Sequence, residues 1–225
     1  MSWQGSRWFG VLAVLVTGAL FALSLDVGPV GPLALVAPLP LLVYALSAPR
    51  AWQAGVAAGI ARAIGTAGLL VVYGKVIPVP ALVVSTLIFA ALYAVVVLLT
   101  RWIARAAPPA LAVFAYPLTL ASTEWLFGVA APHGSFGAMG YALVDILPLL
   151  QVASLGGLAA LTFVLGIVPI TIAVALTRPT GARAAWIAGA VPLVAALAFG
   201  GVRLGQDFTS QARVALVGLD AYEAR

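Results

Sequence analysis

The chain has 225 residues, 64% of them hydrophobic and 8% charged, with a net charge of +5 and a mean hydropathy of +1.17. A soluble domain carries roughly 25% charged residues, so this chain cannot cover a globule with polar surface and reads as an all-α integral membrane protein. Its continuous apolar runs exclude a membrane β-barrel, whose strands alternate; the lack of cysteine excludes disulfides, thiolate metal sites and a cysteine nucleophile; and arginines standing singly or in pairs at run ends, with no basic patch, exclude nucleic acid as a partner.

Seven apolar segments follow in order, a bundle of about seven transmembrane helices over residues 1–204. The first, 8–25, follows a short polar head and Arg7. No small-residue cleavage site precedes Pro29, so it is expected to stay as an uncleaved helix. Asp26 and the Gly28-Pro29 pair end it. The second, 31–47, contains Pro38 and Pro40 and is barely long enough to span, so it is expected to be bent or short. The third, 52–73, carries Arg62 within it. The fourth is 80–103 and the fifth 109–127. The sixth comes from the uncharged run 146–177, too long for one upright helix, with its span starting near Leu149. The seventh, 184–202, encloses Pro192.

Residues 205–225 differ in kind. A polar linker, 205–211, leads to Arg213-Val-Ala-Leu-Val-Gly-Leu-Asp220, a β-branched run bounded by turn formers that reads as one strand. One strand cannot stand alone in water, so it is expected to begin a soluble domain whose remainder is missing.

With the N-terminus inside, the inner connections hold Arg7, Arg50, Arg101 with Arg105, and Arg178 with Arg183, whereas the outer ones hold only Lys75 before the tail. The positive-inside rule then puts the N-terminus in the cytoplasm and the C-terminus outside. Trp3, Trp8, Trp52, Trp102, Trp125 and Trp186 fall near segment ends, as interfacial aromatic residues do.

Residues 122–163 gather Glu124, His133 and Asp145, the single histidine and two of six acidic residues. They include a connection of about twenty residues, long for a packed domain, expected at the outer face. Each residue has two readings. Glu124 is a helix-end carboxylate at the water interface, with Trp125 as a belt residue, or it faces a cavity or partner. His133 is a hydrogen-bonding loop residue or a proton-transfer group or ligand. Asp145 caps the next helix or takes part in chemistry. Arg62 snorkels, or pairs with a buried carboxylate such as Glu124, or holds an anionic lipid head group. The spacing spells no metal motif, and no metal or cofactor is expected. Gly55, Gly59, Gly65 and Gly68, with Gly156-Gly157 and Gly166, read as sites of close helix packing.

At these residues the chain resembles bacterial apolipoprotein N-acyltransferase and its relatives. The matching pieces are residues 32–42, Ser122-Thr-Glu-Trp-Leu126, Gly140-Tyr141, residues 147–157 with Phe163 beyond them, and Arg213-Val-Ala-Leu-Val217. The resemblance implies a membrane domain followed by an outward-facing nitrilase-like domain. There a Glu, a Lys and a Cys pass an acyl group from a phospholipid to a lipoprotein N-terminus. Where that family carries Gly-Phe-Pro-Trp, this chain has residues 131–136, Ala-Pro-His-Gly-Ser-Phe, which marks a divergent branch. With no Cys, and its one lysine, Lys75, between membrane segments, no catalytic residue of the family carries over. The expectation is the membrane half of such an enzyme in a bacterial inner membrane, as a fragment or truncated product, inactive alone. Its partners are membrane phospholipid and a lipoprotein acceptor. Arg62, Glu124, Trp125, His133, Tyr141 and Asp145 are its candidate cavity or lipid-facing residues. A stand-alone membrane scaffold or small transporter is the other reading, and the DNA beyond Arg225 separates the two.

Overall fold

The computed structural model describes residues 6–25 and 30–206; the expected strand at 213–220 and the Gly28-Pro29 turn lie outside them. The helices are α1 (Arg7–Ser24), α2 (Leu39–Ser47), α3 (Ala51–Gly65), α4 (Ala67–Tyr73), α5 (Val79–Ala106), α6 (Pro109–Ala112), α7 (Ala115–Ala130), α8 (Leu147–Leu150), α9 (Ala153–Thr177) and α10 (Ala182–Leu204). Short 3-10 turns stand at Gly31–Leu35, Met139–Leu143 and Pro179–Gly181. Among the described residues, five helices are long and apolar enough to cross a membrane: Arg7–Ser24, Val79–Ala106, Pro109–Ala130, Ala153–Thr177 and Pro179–Leu204.

The second and third predicted segments are shorter pieces. Pro38 and Pro40 confine α2 to 9 residues behind the Gly31–Leu35 turn, about 14 Å of helix. Leu41 to Leu46 of α2 are buried almost completely, so this short helix is walled by protein, while in the Gly31–Leu35 turn before it only Ala34 is buried. The third segment breaks at Thr66 into α3 and α4.

Small residues set the packing. α3 lies between α1 and α5. A side-chain carbon on Gly18 would come within 2.8 Å of Ile64, and one on Gly55 within 3.1 Å of Leu98, so the glycines allow the close approach. α9 contacts α2, α7 and α10 and is the most enclosed of the long helices, with 67% of its apolar window buried against 22% for Pro179–Leu204. Gly156 and Gly157 do not serve packing as expected. They are non-helical, and Gly157 has φ +60° and ψ −151° with open space around it. That backbone conformation is essentially glycine's alone, and it turns the chain between a short first turn of α9 and its long body.

Two arginines close helix ends. Arg101 donates to the carbonyls of Ala45 and Ala48 (2.7 Å for Ala48) at the end of α2. Arg178 donates to Ala107, at 2.9 Å, and to Ala104 at the end of α5. C-terminal carbonyls have no partner within their own helix, and a cation there also meets the negative end of the helix dipole.

The connection after α7 is partly folded back into the bundle. Met139, Gly140 and Leu143 are buried, and the Met139–Leu143 turn packs on α9 and on Gly31–Leu35. Apart from His133, residues 131–144 carry no ionisable group but the Tyr141 phenol, so the segment can fold back into the bundle without burying a formal charge.

Candidate functional site

Arg62 owes its position to the break in the third segment. The Thr66 amide closes the last turn of α3 on the Arg62 carbonyl at 3.0 Å, and the Thr66 hydroxyl donates to the carbonyls of Arg62 and Ala63, each at 3.1 Å. Arg62 therefore stands in a final helical turn, where the dipole favours a cation, rather than midway along a continuous span. It is 2% exposed. Its Nη2 donates to the Gly137 carbonyl at 3.3 Å, and its guanidinium carbon lies 5.5 Å from the centre of the Phe89 ring, within cation–π range. Snorkelling is excluded by that burial. Gly137 has φ +79°, and a side-chain carbon there would come within 2.6 Å of Phe89. Both the conformation and the space call for glycine.

Glu124 faces the same folded-back segment from α7. One carboxylate oxygen accepts the Met139 amide at 2.8 Å, and the other accepts the Thr162 hydroxyl of α9 at 2.6 Å. The half-buried carboxylate thus ties three pieces of chain together, and charge-assisted bonds of this length are strong. Arg62 and Glu124 line one cavity, of about 40 Å³, room for a few waters. Below it the Tyr93 and Tyr116 hydroxyls meet at 3.1 Å, and Thr100 meets Thr119 at 2.8 Å. Polar pairs of this kind join helices in an apolar medium.

An aromatic layer covers the cavity. Phe89 stands with ring centres 5.7 Å from Phe127 and 6.3 Å from Phe136, and Phe136 is 6.1 Å from Tyr73. Two wider crevices border this layer. One, about 340 Å³, lies between α5 and α7 and is lined by Ser85, Ile88, Phe127, Pro132 and His133 among others. The other, about 390 Å³, is lined by Leu69, Tyr73, His133, Ser135 and Tyr141. His133 is exposed and borders both. Tyr141 is half-exposed, with its phenol 2.7 Å from the Ser135 hydroxyl.

The six residues singled out in the sequence thus fall into three groups. Arg62 and Glu124 come together in the cavity, and His133 and Tyr141 in the crevice beside it. Trp125, 59% exposed on the outward side of α7, and Asp145, also exposed, line neither. Asp145 does not cap the next helix either: Ile146 holds the N-cap position of α8, with no side-chain cap bond. Thr162, Gly137, Phe89 and the Tyr93–Tyr116 pair were not singled out. For the tyrosine pair the sequence signal is the spacing of polar residues in apolar helices, seven from Tyr93 to Thr100 and three from Tyr116 to Thr119; nothing local marks Thr162, Gly137 or Phe89. Among the described residues, no three His, Cys, Asp or Glu side chains gather as a metal site.

Residues 17–171 match the family described as the apolipoprotein N-acyltransferase N-terminal domain. A stretch of 95 residues, 41% of this chain, is 39% identical to a relative from Bradyrhizobium diazoefficiens named apolipoprotein N-acyltransferase, and covers 18% of that relative's length. Arg62, Glu124, the folded-back segment and Thr162 all lie inside the matched residues, and the chain belongs to the apolipoprotein N-acyltransferase N-terminal domain family.

Proposed function

We propose that the chain is the membrane part of a machinery that transfers an acyl group from a phospholipid to the N-terminus of a lipoprotein, and that it holds the lipid rather than performing the chemistry. The observation that carries this reading is the folded-back segment. Arg62 and Glu124 grip it two residues apart, at Gly137 and Met139, and it walls two crevices of acyl-chain size, one beside α5 and α7 and the other beside α4. A methylene moved into such a space gains ~0.8 kcal/mol relative to water, so a fixed wall can favour one resting place for a chain. The chain has no cysteine, so the thiol that takes up the acyl group belongs to a nitrilase-like domain outside these residues.

In this reading the protein crosses a bacterial inner membrane seven times, α2 crossing as a shorter, protein-walled piece and α3 with α4 as one crossing broken at Thr66. The N-terminus is cytoplasmic, and residues 131–146 lie towards the outer face. The arginine asymmetry supports that orientation. Reporter fusions at Arg105 and Asp207 are expected on opposite sides of the membrane; the same side for both contradicts the seven crossings.

The lipid role is tested with a phospholipid carrying a photoactivatable acyl chain, reconstituted with the protein in vesicles. Adducts are expected to concentrate in peptides spanning 85–89 and 127–136. Even labelling of all lipid-facing helices contradicts the reading. Without light the protein is expected to carry no covalent acyl group, and an acyl adduct in the dark would show chemistry in the chain itself.

A further inference from the structure

A second groove lies away from this site, between α1 and α3. Arg7, Val11 and Leu15 line it along α1; Arg50, Val56 and Ile60 line it along α3. Gly18 of α1 lies against Ala61 and Ile64 of α3, and Phe21 lies against Gly65, so the helices run parallel with their N-termini on the same side. The groove has a volume of about 400 Å³, and its apolar walls are open: Val11, Leu15, Val56 and Ile60 are 54%, 56%, 52% and 48% exposed. Its floor includes the Tyr44 ring, which a side-chain carbon on Gly10 would approach to 2.7 Å. From Arg50 to Ile64 the helix climbs about 21 Å, more than half of a hydrocarbon core of ~30 Å.

The charge at its mouth is unbalanced. Arg7 and Arg50 are exposed, no carboxylate among the described residues lines the groove, and neither α1 nor α3 has an acidic residue in its first turn. Each helix N-terminus carries a partial positive charge of its own. Two guanidiniums at one groove mouth, beside two such ends, favour an anion there. Arg101 and Arg178 provide the contrast: they use their guanidiniums on helix C-terminal carbonyls. Membrane orientation accounts for arginines on this side but not for two of them at the mouth of one apolar groove. Trp8 and Trp52, 84% and 59% exposed, flank the mouth and set it at the depth of lipid head groups.

We infer that this groove binds an anionic phospholipid, its phosphate held by Arg7 and Arg50 and one acyl chain lying along Val11, Leu15, Val56 and Ile60. Guanidinium and phosphate pair through two parallel hydrogen bonds, and a basic residue at the membrane surface is worth roughly fivefold in affinity for an anionic lipid. The site shares no lining residue with the cavity or the crevices above, and it does not depend on the acyl-transfer reading.

The test is native mass spectrometry of the purified chain, with phosphatidylglycerol and phosphatidylcholine of identical acyl chains. Phosphatidylglycerol is expected to be retained at least tenfold better, with a preference that falls as salt rises. In the Arg7→Gln, Arg50→Gln protein the preference is expected to drop towards one, and in Ile60→Trp, which fills the groove, binding of phosphatidylglycerol is expected to fall. Inorganic phosphate is expected not to compete. Equal retention of the two lipids by the unaltered protein overturns the proposal, as does a preference that survives loss of both arginines. Competition by free phosphate would mean that the mouth alone binds, and a dimer that disappears in Ile60→Trp would assign the groove to a second copy of the chain; either result also overturns it. The salt dependence in the unaltered protein decides the matter should a variant fail to fold.

Discussion

Arg62 and Glu124 hold adjacent points of one segment from opposite sides, so their contributions are coupled through it. Arg62→Leu removes the bond to the Gly137 carbonyl and the contact with Phe89, and leaves the Glu124 carboxylate in a cavity without its cationic neighbour. Breaking one side of a buried charged arrangement costs about 3–5 kcal/mol. Arg62→Lys, which keeps the charge, is expected to lose less in thermal stability measured in detergent. Arg62→Leu combined with Glu124→Gln is expected to regain part of the loss, with a coupling of about 0.5–3 kcal/mol. Simple additivity would mean that the two residues do not share a site. Both were legible in the sequence because an ionisable group inside an apolar run is rare and needs a partner. Thr162 and Gly137 were not, since their contacts with Glu124 and Arg62 span 38 and 75 residues, and nothing local marks a hydroxyl or glycine for such a bond.

Helices came through the sequence as apolar runs, and their ends did not always follow. Prolines announced the short α2, whereas the break at Thr66 has no proline to mark it and rests on a hydroxyl bonded back into its own helix. The stretch after Glu124 was read as a long connection at the outer face. Its scarcity of charge was the better signal, because a segment with little polar surface gains by packing on α9. The arginines at run ends were read only as orientation signals, yet Arg101 also caps α2. Arg101→Met leaves the Ala45 and Ala48 carbonyls short of a donor and is expected to destabilise the protein by ~1.5–3 kcal/mol, read as a lowered melting temperature. Arg101→Lys should restore little of this, since an ammonium cannot fork to two carbonyls as a guanidinium does. A melting temperature equal to that of the unaltered protein would show that α2 needs no such cap.

Across the whole molecule, long helices enclose two irregular pieces, Gly31–Leu35 and Met139–Leu143, that touch each other and α9 near its glycine break. Residues 131–141, which lead into this centre, wall the crevices, and Arg62 and Glu124 bond to that segment at Gly137 and Met139. The most direct test is hydrogen–deuterium exchange of the protein in lipid nanodiscs, followed at the peptide containing Met139. If the segment is folded back and its amide bonded to Glu124, exchange there is expected to be as slow as in the adjoining body of α9, and to quicken in Glu124→Ala. Exchange as fast as in the exposed turn at Pro179–Gly181, with no change in Glu124→Ala, would contradict a segment clamped within the bundle.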